Sequence, residues 1–200
     1  MQSSTTRPGF PWAYTSLAFA FSWLVWSPGV LATYGVIIPP LEPELFTVLL
    51  LTVRAFGPLV AAFLLTARET GRVGVRRLLR HGLQWRIGLP ALAVVMGVPL
   101  AASALARGLD VATGGAPPPF ALSSPLLLLP TFLFILLLGG PIQEEFGWRG
   151  YALPRLQARW GDAGASLLLG ATWALWHLPL WFMPGAGMEG TSMPVYLLRA

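Results

Sequence analysis

The chain has 200 residues, 55% of them hydrophobic and only 10% charged, with a net charge of +5. Soluble domains carry about 25% charged residues, so this composition belongs in a lipid bilayer and not in water. The 13 basic residues are all arginine and form no stripe interleaved with aromatics, which argues against nucleic acid as a partner, and the lack of cysteine removes disulfides, thiolate metal sites and a thiol nucleophile.

In chain order the apolar runs read as an all-α fold: a polytopic transmembrane bundle of about five spanning helices and the start of a sixth, in one integral membrane domain over residues 1–200. Met1 to Pro11 is polar, with one charge at Arg7. The run from Trp12 to Ile38 is longer than a signal-peptide core and has no Ala-x-Ala-like site close behind it, so it reads as a retained helix. Pro28-Gly29 marks a kink in it and Pro39-Pro40 its end. A second helix is expected from Leu45 to Ala67, with Arg54 facing the bundle interior and pairing with a carboxylate. A loop with Arg68, Arg72, Arg76, Arg77, Arg80 and Arg86 follows, then a third helix from Ile87 to Leu105 and a Gly/Pro loop at Gly114 to Pro119. The fourth helix starts near Pro125 or Pro130, and the fifth runs from Ala163 to Met183. Pro194 to Ala200 only begins another apolar segment.

Arginine asymmetry orients the chain. With the N-terminus in the cytoplasm, Arg7, the arginine loop and Arg155 and Arg159 share one side, against Arg107 on the other. The expected location is the cell membrane. Composition rich in Ala, Gly, Pro and Arg fits a GC-rich bacterial genome.

Ionisable groups inside hydrocarbon cost a few kcal/mol or more each, so those that persist face an interior and do a job. Two such places stand out, Gln143-Glu144-Glu145-Phe146-Gly147-Trp148-Arg149 and Trp173-Ala174-Leu175-Trp176-His177-Leu178-Pro179. If the fourth helix ended at Leu138, the glutamates would lie at the cytoplasmic surface, while His177 would be roughly 21 Å deep. Continued through Glu144 and Glu145 to Leu153, with Pro154 as its stop, the helix carries Glu144 roughly 14 Å deep, and a bend at Gly139-Gly140-Pro141 closes the gap.

Glu145 and Arg149 are four apart and share a helix face, which predicts a buried ion pair. Glu144, rotated by about 100°, is then left free to hold a proton or a water. The bland alternative is a snorkelling cluster at a helix end. Trp173 and His177 are also four apart, so the indole can orient the imidazole. Pro179 is expected to free a carbonyl near Leu175. A lone helix histidine is more often a satisfied core residue than a catalyst; the glutamate pair on the adjacent helix tips this one toward function. Other intramembrane chemistries lack parts. There is no His-Glu-x-x-His zinc motif, no Gly-x-Ser-x-Gly element, and the two aspartates, Asp110 and Asp162, fall in a loop and at a helix start.

Glu144-Glu145-x-x-x-Arg149 followed by Trp173-x-x-x-His177 resembles the first two motifs of the CPBP family, the CAAX prenyl protease and bacteriocin-processing family of intramembrane proteases, also called Abi. The longer stretch Glu144 to Pro154 is similar to that family beyond the minimal motif, and the family-like core covers about residues 125–200. The resemblance implies an endopeptidase acting on a membrane-associated peptide or prenylated protein, with Glu144 activating water, His177 assisting and Glu145 beside them. It leaves open a divalent metal such as zinc, held by Glu144 and His177, or a glutamate working alone. The family's third motif, a histidine followed four residues later by asparagine or aspartate, has no counterpart after His177. The chain is therefore expected to be a fragment of a longer protein, the other reading being a truncated member. The competing functional class is a non-catalytic membrane relative, an immunity or scaffold protein.

Overall fold

Residues 9–83, 88–112 and 125–183 are described by the computed structural model; the loop at Gly114 to Pro119, Arg86 and the segment Pro194 to Ala200 lie outside them. Among the described residues there are seven α-helices and no strand. Three helical stretches, Trp12–Thr33, Pro43–Gly82 and Leu126–Phe182, are long and apolar enough to cross a membrane. The all-α membrane bundle holds.

Prolines strand helix carbonyls, and serine hydroxyls supply the donors they lack. Helix α1, Trp12–Thr33, keeps Pro28 inside it. The missing N–H strands the carbonyl of Leu24, and the Ser27 hydroxyl donates to that carbonyl at 2.9 Å, so the helix runs on. It stops earlier than the predicted Ile38. Gly35 takes φ 69°, and the Gly35 and Val36 amides return to Ala32 and Leu31, the hydrogen-bond pattern of a Schellman cap.

The predicted helix from Leu45 to Ala67 is two helices, α2 at Pro43–Arg54 and α3 at Phe56–Gly82. Pro58 explains the break, because it cannot donate to the carbonyl of Arg54 and its ring crowds that group. Ser22 of α1 supplies the missing donor, Oγ to Arg54 O at 2.7 Å. The arginine loop is also a correction: it is helical to Gly82, bent at Gly71, where φ is 61°.

Tyr14, Ala18, Ser22 and Trp26, spaced by four, form the buried face of α1. Small residues let the helices close in: a Cβ on Gly57 would come within 2.8 Å of the Ala18 carbonyl, and one on Gly147 would meet Pro58 and Tyr14. Beyond α5, Pro125–Leu138, Gly140 takes φ 126° and α6 begins at Pro141, ending at Gly147. One π-helical turn, Trp148–Ala152, joins α6 directly to α7, Leu153–Trp176. Pro154 was expected to stop this helix. It sits instead in the first turn of α7, where a missing N–H costs little. The chain turns later, at Gly161 with φ 66°. His177 caps α7 and is followed by a 3-10 turn, Leu178–Phe182, so the predicted fifth helix ends one residue short of its histidine.

Of the described residues, 9–82 and 132–183 make one compact unit. Residues 83–131, with α4 at Leu89–Ala112, make a second, whose Leu89, Val94, Val98 and Leu105 are exposed, as on a helix made for lipid.

Candidate active site

The site gathers where α1, α2, α6 and α7 converge. Glu144 sits in the first turn of α6. Its Oε1 pairs with Arg54 Nη1 at 2.7 Å, and its Oε2 accepts the Trp173 indole N–H at 3.0 Å. Only 11% of the Arg54 side chain and 13% of the Glu144 side chain are exposed, so the pair is largely out of solvent. The expectation that Arg54 pairs with an interior carboxylate is met. The expectation that Glu144 stays unpaired is overturned: the fold brings it a cation from 90 residues upstream.

Arg54 is wrapped further. Its guanidinium carbon lies 5.4 Å from the Trp26 ring centre and 5.3 Å from that of Trp176, close enough for cation–π attraction. Both rings are fully buried. Trp176 is also tied by its backbone, since the Trp23 indole donates to the Trp176 carbonyl at 2.9 Å. The end of α7 is thereby fixed one residue before the histidine.

His177 is buried against Trp173, Trp176 and Trp26, at ring-centre distances of 4.1, 4.6 and 6.2 Å. Trp173 meets it edge-on. The ring is held by Nδ1, 3.0 Å from the Trp173 carbonyl. A carbonyl can only accept, so Nδ1 carries a hydrogen and the neutral ring keeps its lone pair on Nε2. Trp173 thus joins the two candidate groups, its indole N–H on Glu144 and its carbonyl on His177. Arg54 Nε, Trp26 Nε1 and Trp176 Nε1 are buried around them without a hydrogen-bond partner among the described residues.

Glu145 points elsewhere, as its rotation requires. It pairs with Arg149 as predicted, but 48% of Glu145 and 65% of Arg149 are exposed. The expected buried pair is a surface pair. Together with His81 and Phe146 they line a separate cavity of about 430 Å³. A second ion pair escaped the sequence reading: Glu69 binds Arg155 at 2.6 Å and the Tyr151 hydroxyl at 2.5 Å, with Arg155 lying 3.5 Å from the Tyr151 ring centre. Arg155 had been assigned to topology alone. Its partner, 86 residues away, gives no local signal.

A divalent metal fits poorly here. Among the described residues no three His, Cys, Asp or Glu side chains come together. Both Glu144 oxygens already accept hydrogen bonds, one from a guanidinium that would repel a second cation.

A largely buried carboxylate and an imidazole inside an apolar helical bundle define a multi-pass membrane protein with an ionisable interior. The comparisons narrow this. Residues 125–199 match the family of Rce1-like type II CAAX prenyl endopeptidases. CAAX prenyl protease 2 of Methanococcus maripaludis is 53% identical over 51 residues, a stretch that covers 26% of this chain and 18% of that protein. Through this segment the chain is similar to the CAAX-protease family.

Proposed function

We propose that the protein is an intramembrane endopeptidase of the CAAX type, a single membrane domain hydrolysing a peptide bond in a membrane-associated or prenylated substrate. The observation that carries this reading is the Arg54–Glu144–Trp173–His177 chain, formed within and against the family-matched segment. Arg54 and Trp173 hold Glu144 with one hydrogen bond on each oxygen. A carboxylate has about four lone-pair sites, so water can still bind. Glu144 takes a proton from that water as its oxygen attacks the substrate carbonyl. His177 Nε2 relays the proton to the departing amine as the C–N bond breaks. The partnerless donors nearby, Arg54 Nε and Trp176 Nε1, suit an anionic intermediate. No step needs a metal.

Glu144→Gln and His177→Ala, reconstituted in liposomes with a prenylated CAAX peptide, should each lose about 10²–10⁴-fold in turnover while still inserting. Unchanged turnover in Glu144→Gln would refute the base. One observation favours a second reading, a non-catalytic relative: both Glu144 oxygens are taken, as in a purely structural pair. That reading expects no cleavage by the unaltered protein and loss of stability alone in Glu144→Gln. We place the N-terminus in the cytoplasm of a bacterial cell; a cysteine at Arg77 should then resist an impermeant reagent added outside intact cells, and labelling there would reverse the orientation.

A further inference from the structure

Beyond Gly71, helix α3 carries Arg72, Arg76 and Arg80 at four-residue intervals, with Arg77 beside them. At about 100° per residue the four occupy roughly 140° of the helix surface, and all are exposed. The opposite face is docked: Leu78 is buried, a Cβ on Gly150 would touch it, and Gly82 lies against Phe146. No carboxylate among the described residues pairs with any of the four. Glu69, the nearest in sequence, is taken by Arg155 and Tyr151.

Like charges one helical turn apart repel, so packing on the far face holds this helix against its own charge. An external anion would relieve it. Membrane topology asks only for positive charge beside a span. It does not ask for the cleft of about 340 Å³ at the Gly71 bend, lined by Ala67, Gly71, Arg72, Val75 and Arg76. That cleft sets two cations over apolar walls. Val73 and Leu79, both exposed, add apolar contact among the arginines. An exposed helix of cations and aliphatics directly following an apolar span is built for the level of lipid headgroups.

We propose that the limb from Gly71 to Gly82 binds anionic phospholipid, the phosphodiester seated against Arg72 and Arg76 in the cleft and Arg77 and Arg80 facing the headgroups around it. The site is separate from the Glu144–His177 centre and does not depend on its chemistry.

The test uses the purified protein in neutral detergent, titrated with short-chain phosphatidylglycerol, phosphatidylcholine or inorganic phosphate, with bound lipid counted by native mass spectrometry and stability followed by thermal melting. Phosphatidylglycerol should bind and raise the melting temperature; phosphatidylcholine and phosphate should not. Each arginine removed should weaken phosphatidylglycerol about fivefold, so Arg72→Gln/Arg76→Gln together lose about 25-fold. Arg72→Lys/Arg76→Lys should retain most of the binding, and Arg159→Gln, a charge removed elsewhere, should retain all of it. Equal stabilisation by phosphatidylcholine or by free phosphate overturns the proposal. So does a loss in Arg159→Gln matching that of the glutamine pair, or a folded lysine pair that no longer binds.

Discussion

Two ion pairs one residue apart in sequence, Arg54–Glu144 and Glu145–Arg149, behave as opposites. The first joins α2 to α6 and has side-chain exposures of 11% and 13%; the second lies within one helical turn and has 48% and 65%. Exposed pairs contribute about 0–1 kcal/mol, because water screens them and side-chain entropy opposes them. A buried pair is different. Its net contribution is small, but removing one partner strands a charge and costs about 3–5 kcal/mol. Adjacent glutamates on one helix therefore carry unequal weight, and the inequality comes from what lies opposite each of them. Trp26 and Trp176, themselves in ring contact, both pack beside Arg54 in the interior, whereas Arg149 faces outward.

The largest expected effect is on the buried pair. Arg54→Leu should destabilise the protein by about 3–5 kcal/mol in denaturant titrations from mixed micelles, and Arg54→Leu/Glu144→Leu should recover much of that loss. A cost below about 1 kcal/mol for Arg54→Leu, the value of an exposed pair, would erase the contrast. Next comes Trp173→Phe, which keeps a ring against His177 and removes the donor to Glu144. The loss of a hydrogen bond to a charged group should cost about 1.5–3 kcal/mol and lower turnover with it. If stability and turnover were both unmoved, Trp173 would not be the link between the two candidate groups. Gly147→Ala tests the close approach of α6 to Pro58 and Tyr14 on which the buried pair depends. Overpacking there should cost about 1–3 kcal/mol, and a neutral result would mean that α6 has room to spare. The smallest effect belongs to the outer pair: Arg149→Ala should change stability by no more than about 1 kcal/mol. A larger loss would place Glu145–Arg149 inside the bundle after all.

Local spacing was enough to read part of this site. Glu145–Arg149 and Trp173–His177 are four apart, and a helix brings such residues together whatever surrounds it. The composition likewise called for a helical membrane bundle, since a backbone in lipid must satisfy its own hydrogen bonds. Helix boundaries were less legible. Pro28 is carried inside α1 by the hydroxyl of Ser27, and Pro154 lies harmlessly in a first turn, so a proline in sequence was not by itself a stop.

By itself, then, the sequence determined the class of fold and the Glu145–Arg149 and Trp173–His177 contacts made within one helical turn, because periodicity alone dictates those. Only the tertiary structure decided which glutamate is buried. It joined Glu144 to Arg54 across 90 residues and Glu69 to Arg155 across 86, and it turned Trp173 toward both Glu144 and His177. Partners so far apart leave no spacing to read; they are chosen by which helix faces pack together, and here small residues at Ala18, Gly57 and Gly147 allow that packing.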